Sequence, residues 1–262
     1  MIKNLGLGTA QFGLDYGVSN RAGKCPPAEV ARILELAAAS GIRVIETAAT
    51  YGESEQVLGV ALPPDHCFAV VTKTPDFAGR PFGRAETGML EETFTRSLSR
   101  LGLGSVYGLL VHHTEDLLAR GGECLFKSMV RLKERGLVDK IGVSVYTGAE
   151  IDAVLDSHPI DLIQVPVSVF DQRLVASGHL AKLRAAGIEI HIRSAFLQGL
   201  LLLAPERVPA YFKPIHPHLC DYHRALRETG VSPIEAALGF VRNLSEADCV
   251  LVGVHARSEL SE

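Results

Sequence analysis

The chain has 262 residues, 47% hydrophobic and 21% charged, with a formal net charge of −4 and five scattered cysteines that form no CxxC pair. That length buries a sizeable core, the composition is globular, and the mild acidity argues against a nucleic-acid backbone or an anionic membrane as the main partner. The cysteine pattern suits a reducing cytosol, no apolar signal-like segment opens the chain, and the most apolar later run (196–204) is too short to span a bilayer, so a soluble, cytoplasmic protein is expected.

Residues 5–9 (LGLGT) read as a first strand running into Ala10, Gln11, Phe12 and Gly13. A turn-rich loop, DYGVSNRAGK, covers 15–24, and Pro26 and Pro27 open a helix that Gly41 stops. The second strand, 43–46, ends at Glu46; Ser54 is expected to cap the helix after it, and the third strand, 68–73, ends in Lys73. An amphipathic helix at 85–101 precedes a fourth strand at 106–111, which runs into His112 and His113. Helix 123–135, strand 140–144, helix 149–156, strand 162–166, helix 174–186 and strand 189–193 follow. Two more helices, near 218–229 and 233–243, lead to a strand at 249–253.

The strands are short apolar runs rather than alternating ones, as in a parallel sheet covered on both faces. Strand and helix repeat from end to end with no linker, which predicts one α/β domain over 1–262, a (β/α)8 barrel. A doubly wound nucleotide-binding sheet is the competitor, but Gly6, Gly8 and Gly13 lack the GxGxxG spacing after the first strand.

In a barrel the strand ends face one mouth, which gathers Thr9, Glu46 with Tyr51, Lys73, His112, Ser144, Gln164 and Arg193. A tyrosine, a lysine and a histidine there suit proton donation to a developing alkoxide. A neighbouring ammonium lowers a phenol's pKa from about 10, a carboxylate keeps the lysine charged, and a histidine hydrogen-bonds the same oxygen. His112 and His113, being adjacent, are expected to point to opposite sides of a strand, so no metal site is predicted, and no GxSxG nucleophile elbow is present. The plainer alternative makes Glu46 and Lys73 a structural ion pair. Phe12, Tyr16, Tyr146 and Phe170 either line a substrate pocket or pack, His113 receives no catalytic role, and His216–Pro217–His218 reads as a loop.

The chain resembles the aldo-keto reductase superfamily over nearly its whole length. The resemblance is carried by LGLGTAQFG (5–13), ETAATYGESEQVLG (46–59) against the family's DTAxxYG(x)SE(x)xLG, VVTK (70–73), LLVHH (109–113) and IGVS (141–144). The glutamine of IQVP (163–166), RSAFLQGLL (193–201) and VGVHARSEL (252–260) complete it in the family's order. It implies a barrel that reduces aldehydes and ketones with NAD(P)H. Tyr51 would then be the general acid, Lys73 would tune it, His112 would orient the carbonyl, and Glu46 would stand at the family's aspartate. Gly8, Thr9, Ser144 and Gln164 would lie at the cofactor, the last two on the nicotinamide amide, with Arg193 covering its ring. Ser194, Phe196, Leu197 and Gly199 would belong to the pyrophosphate loop, and Gly253, Val254, Arg257 and Glu259 to the adenosine segment.

Three positions depart from the family pattern: Glu46 is one methylene longer than aspartate, Val145 replaces an asparagine, and Ser168 replaces an asparagine or histidine. Glu259, where NADPH-preferring members often carry a basic residue, favours NAD(H) over NADP(H). The expected activity is NAD(P)(H)-dependent interconversion of a carbonyl and an alcohol on a small polar metabolite, sugar-like compounds included. The alternative is a catalytically degenerate relative that binds NADH or another nucleotide and signals to a protein partner.

Overall fold

The apolar runs become eight strands in the computed structural model, which describes residues 5–261; residues 1–4 and 262 of the expected domain lie outside the description. The strands are β1 (Leu5–Gly8), β2 (Val44–Glu46), β3 (Ala69–Lys73), β4 (Val106–Val111), β5 (Val138–Ser144), β6 (Leu162–Pro166), β7 (Glu189–Arg193) and β8 (Cys249–Gly253). Each pairs in parallel with the next, and β8 pairs with β1 from Leu5 opposite Val250 to Gly8 opposite Gly253. The sheet therefore closes into a single-domain (β/α)8 barrel with no free edge.

Alternate strand residues face the surrounding helices. Leu7, Ile45, Val70, Leu109, Val143, Ile163, Ile190 and Val250 share one core cluster with the apolar stripes of those helices. In the helix Pro27–Ala39, Val30, Ile33, Leu34 and Ala37 recur at helical spacing and are all buried, while Arg32 and Glu35 face solvent. Burying each large aliphatic side chain contributes about 1.5–3 kcal/mol, and truncating Ile33 to alanine would cost about 2–5 kcal/mol. No helix among the described residues is long and apolar enough to cross a membrane.

The lumen is filled in layers. Val71, Leu110 and Leu162 form a fully buried apolar belt across it, with Val44 and Tyr107 packed against them. Below the belt, at the N-terminal ends of the strands, Glu189 of β7 accepts a 2.6 Å hydrogen bond from Tyr107 of β4 and one from His191, and it pairs with Lys140 of β5. Burial works to raise the Glu189 carboxyl, but these three donors overcome it and hold it down to about 2. The other charged layer sits at the opposite, C-terminal end.

Where the structure departs from the sequence reading, local chemistry explains it. The single helix expected at 174–186 is two, Arg173–Ala176 and His179–Ala185, because Gly178 turns the chain at φ 77°. The 216–218 segment is not a loop but the first turn of the helix His216–Thr229, where Pro217 lacks only an N–H that the helix does not use. Ser54 does not cap the helix Ser54–Ala61 but begins it, its hydroxyl being committed elsewhere.

Candidate active site

Tyr51 is delivered by the loop between β2 and the helix Ser54–Ala61, and two glycines fix that loop. A Cβ on Gly13 would lie 1.9 Å from the Tyr51 carbonyl oxygen, and one on Gly52, at φ +57°, would lie 2.5 Å from the Gly13 carbonyl oxygen. Only glycine lets the β1 and β2 loops approach this closely. Beneath them, the buried Ser54 hydroxyl donates to the Thr9 carbonyl oxygen at 2.8 Å and also meets the Thr9 and Thr47 hydroxyls at 2.7 and 3.1 Å. Thr9 in turn donates to the Glu46 carbonyl oxygen at 3.0 Å. The Thr9 side chain, expected at the cofactor, is thus fully buried in a hydroxyl knot that ties the two loops together.

Glu46 is one methylene longer than an aspartate, and its carboxylate touches both Lys73 and Tyr51. Its Oε1 forms an ion pair with Lys73, and the same oxygen accepts the Tyr51 phenol proton at 3.2 Å. A Cβ on Gly8 would stand 3.6 Å from the other carboxylate oxygen, at ordinary contact distance. Lys73 donates to the Tyr51 oxygen at 3.0 Å and to the Thr47 carbonyl at 3.3 Å.

Burial pulls the Lys73 ammonium well below its usual range, and Arg193 adds to this; the Glu46 carboxylate in contact opposes both. The net direction for Tyr51 is the reverse of the sequence expectation. Burial raises the phenol above its ordinary range, Tyr16 and Tyr146 add to the rise, and Arg193 opposes it. The phenol is therefore protonated at neutral pH, with the Lys73 ammonium against its oxygen.

His112 lies just past the end of β4, its ring edge-on to Tyr51 at 5.8 Å between centroids. Burial, then the charge of Lys73, hold the imidazole at about 3, so it is neutral. Its Nδ1 meets the Thr50 hydroxyl at 3.1 Å; with Thr50 donating, the ring proton sits on Nε2, free for a carbonyl oxygen. His112 and His113 do not diverge as expected: their rings stack 4.6 Å apart, because the alternation of a strand stops at Val111. Among the described residues no three His, Cys, Asp or Glu side chains gather as a metal site.

Ser144 donates to the Gln164 side-chain oxygen at 3.3 Å, while the buried Gln164 Nε2 has no partner. An orphaned amide donor beside a serine at the mouth fits a ligand carbonyl such as a carboxamide. The Arg193 guanidinium sits over the Tyr146 ring, 4.2 Å from its centroid, and donates to the Val145 carbonyl oxygen at 3.1 Å. Val145 itself is core, and the Ser168 hydroxyl accepts the backbone N–H of Phe170 and Asp171, so both departures from the family pattern have structural work.

After β7, Ser194, Leu197 and Gln198 hold positive φ values of 64°, 48° and 57°, a strained run that Gly199 completes at 85°. The Phe196 and Leu197 side chains pack against the cluster of Leu200, Leu201, Leu219 and Ala237. The 15–24 loop braces it, Val18 N–H donating to the Gln198 carbonyl oxygen at 2.8 Å. Near the end of the chain, Gly253 lies under the Gln11 amide and Val254 is core. The Glu259 carboxylate accepts the His255 N–H at 2.7 Å, and Glu29, which sequence reasoning missed, accepts the Arg257 N–H at 2.7 Å. Of the four aromatics weighed for the pocket, Phe12 is core and Phe170 packs on Tyr222; Tyr16 and Tyr146 are partly exposed close to Arg193.

The chain is 32% identical over 155 residues to a 2,5-diketo-D-gluconic acid reductase B from Corynebacterium sp. (strain SHS752001), covering 58% of this chain and 48% of that protein. It is 31% identical over 119 residues to an aldo-keto reductase from Mycolicibacterium paratuberculosis (strain ATCC BAA-968 / K-10), covering 45% and 40%. Both matches span less than half the length of the curated relatives. Its fold is that of the aldo-keto reductase AKR11C1 from Bacillus halodurans in its holo form, with a TM-score of 0.76 at 20% identity, covering 98% of this chain and 84% of that one. The Aldo/keto reductase family matches residues 4–262, and the chain belongs to that family.

Proposed function

We propose that the protein is an NAD(P)(H)-dependent oxidoreductase that interconverts a carbonyl and an alcohol on a small polar metabolite, with Tyr51 as general acid and base. The observation that carries this reading is the buried Glu46–Lys73–Tyr51 contact set with neutral His112 beside it. The bound nicotinamide would supply or accept the hydride. His112 Nε2–H would hold the carbonyl oxygen, Tyr51 would give it a proton, and Lys73 would stabilise the phenolate, itself kept charged by Glu46. The name of the Corynebacterium relative, a reductase of a diketo sugar acid, is consistent with a small polar carbonyl compound.

Ser144 and the orphaned Gln164 amide would receive the nicotinamide carboxamide, with Arg193 bordering the ring. Gly8, Ser194, Phe196, Leu197 and Gly199 would line the cofactor's path, the loop after β7 through its backbone, with Gly253, Val254, Arg257 and Glu259 at the adenosine end. Two carboxylates, Glu29 and Glu259, already take the Arg257 and His255 backbone donors there. They would repel a 2′-phosphate, which favours NAD(H) over NADP(H).

The test is a titration of cofactor-stripped protein with NADH and NADPH separately. Nicotinamide fluorescence is the signal, since the chain has no tryptophan. NADH should bind more tightly, Glu259→Arg should narrow the difference, and Tyr51→Phe should bind NADH yet lose turnover on a carbonyl panel. Failure of both cofactors to bind sinks the reading. Binding without any turnover in the unaltered protein turns it towards a nucleotide-binding regulator.

A further inference from the structure

Charge at the mouth does not balance. Glu46 neutralises Lys73, and His112 is uncharged. Asp171, whose carboxyl feels Arg193, is already engaged by Arg173, whose Nε and Nη2 each donate at 2.8 Å. Among the described residues Arg193 has no carboxylate within ion-pair distance, and its positive charge is left over.

The guanidinium is nevertheless held in place. It lies on Tyr146 at 4.2 Å, donates through Nη2 to the Val145 carbonyl oxygen at 3.1 Å, and through Nη1 to the Ser194 hydroxyl at 3.3 Å. Two of its five N–H groups are used, so a rigid fork of donors remains. Its field reaches the reacting groups: it depresses Lys73 and His112 and works to lower Tyr51 and Tyr16. A pre-ordered, half-buried cation beside the acid, without a counterion of its own, suits an anion that arrives with the ligand.

We propose that Arg193 binds an anionic group, a carboxylate or a phosphate, on the carbonyl substrate, so that the substrates are small anionic carbonyl compounds. This rests on the oxidoreductase reading and specifies its substrate class.

The test compares kcat/KM with NADH for pairs differing in one anionic group: 4-oxobutanoate against butanal, and glyceraldehyde 3-phosphate against glyceraldehyde. The unaltered enzyme should prefer the charged member of at least one pair by about 10–100-fold, the worth of one charge-assisted hydrogen bond, and the pair that responds names the anion. In Arg193→Gln the ratio should fall towards one, and Arg193→Lys should retain part of it. A role confined to bracing Val145, or to holding the cofactor, would lower both members alike and leave the ratio unmoved. Equal use of both members by the unaltered enzyme, or a ratio that survives Arg193→Gln, overturns the proposal.

A second readout needs no turnover: calorimetric binding of 4-hydroxybutanoate, inorganic phosphate and butan-1-ol to the NADH-loaded protein. Anion binding that requires Arg193, in a protein that reduces nothing, would uphold the anion site while the oxidoreductase reading falls. Anions that bind no better than the alcohol overturn the site.

Discussion

Replacing Glu46 with glutamine removes the charge that opposes the loss of the Lys73 proton inside the barrel. The two side chains are 7% and 1% exposed, so water screens neither. Removing one partner of such a buried pair costs about 3–5 kcal/mol, because the other charge is left stranded. An exposed pair such as Arg96–Glu92 is worth only about 0.2–1 kcal/mol. Urea unfolding followed by circular dichroism should therefore show Glu46→Gln losing about 3–5 kcal/mol. The double variant Glu46→Gln/Lys73→Met, which leaves no charge behind, should recover most of that loss. Turnover should fall by about 10²–10⁴-fold in the single variant, since Lys73 can no longer stabilise the Tyr51 phenolate. A loss below about 1 kcal/mol, or a double variant no more stable than the single, would refute the buried-pair argument. Unchanged kcat would separate the pair from the chemistry.

His112 gives a pH signature. Unfolded chains take up its proton as pH falls through about 6.5, whereas the native ring resists until about 3, so its contribution is full above about 6.5 and is lost between those values. His112→Gln should flatten the decline in stability across that window; an unchanged acid limb would mean the ring is not buried neutral. Gly52→Ala, forced to φ +57° and against the Gly13 carbonyl, should cost at least about 1–3 kcal/mol and displace Tyr51, seen as a joint loss of stability and kcat. Tyr107→Phe removes a 2.6 Å bond to the Glu189 carboxylate and should cost about 1.5–3 kcal/mol in urea while kcat/KM stays within twofold; a large kinetic effect would show that the two charged layers communicate.

The strands were legible because each is an apolar run closed by turn residues, and four of them, β4, β6, β7 and β8, begin and end where the pattern places them. The Tyr51–Lys73–Glu46 set was legible for the same reason: in a parallel barrel, strand ends converge whatever their sequence separation. Contacts that depend on side-chain packing were not. The Thr9–Ser54 bond joins residues 45 apart, Tyr107 meets Glu189 across 82, and Glu29 reaches Arg257 across 228. Nothing in the spacing of serines, threonines or glutamates marks those partners. The His112–His113 stack shows the limit of a periodicity rule, which applies only while the backbone remains a strand.

The apolar belt of Val71, Leu110 and Leu162 lies between the two charged layers of the barrel. Its hydrocarbon side chains offer neither donor nor acceptor, so they pass no proton between those layers. On the proposed mechanism, a proton given by Tyr51 would be replaced from the mouth, the side by which the substrate enters. Recharging the acid would then be coupled to the departure of product through the same opening.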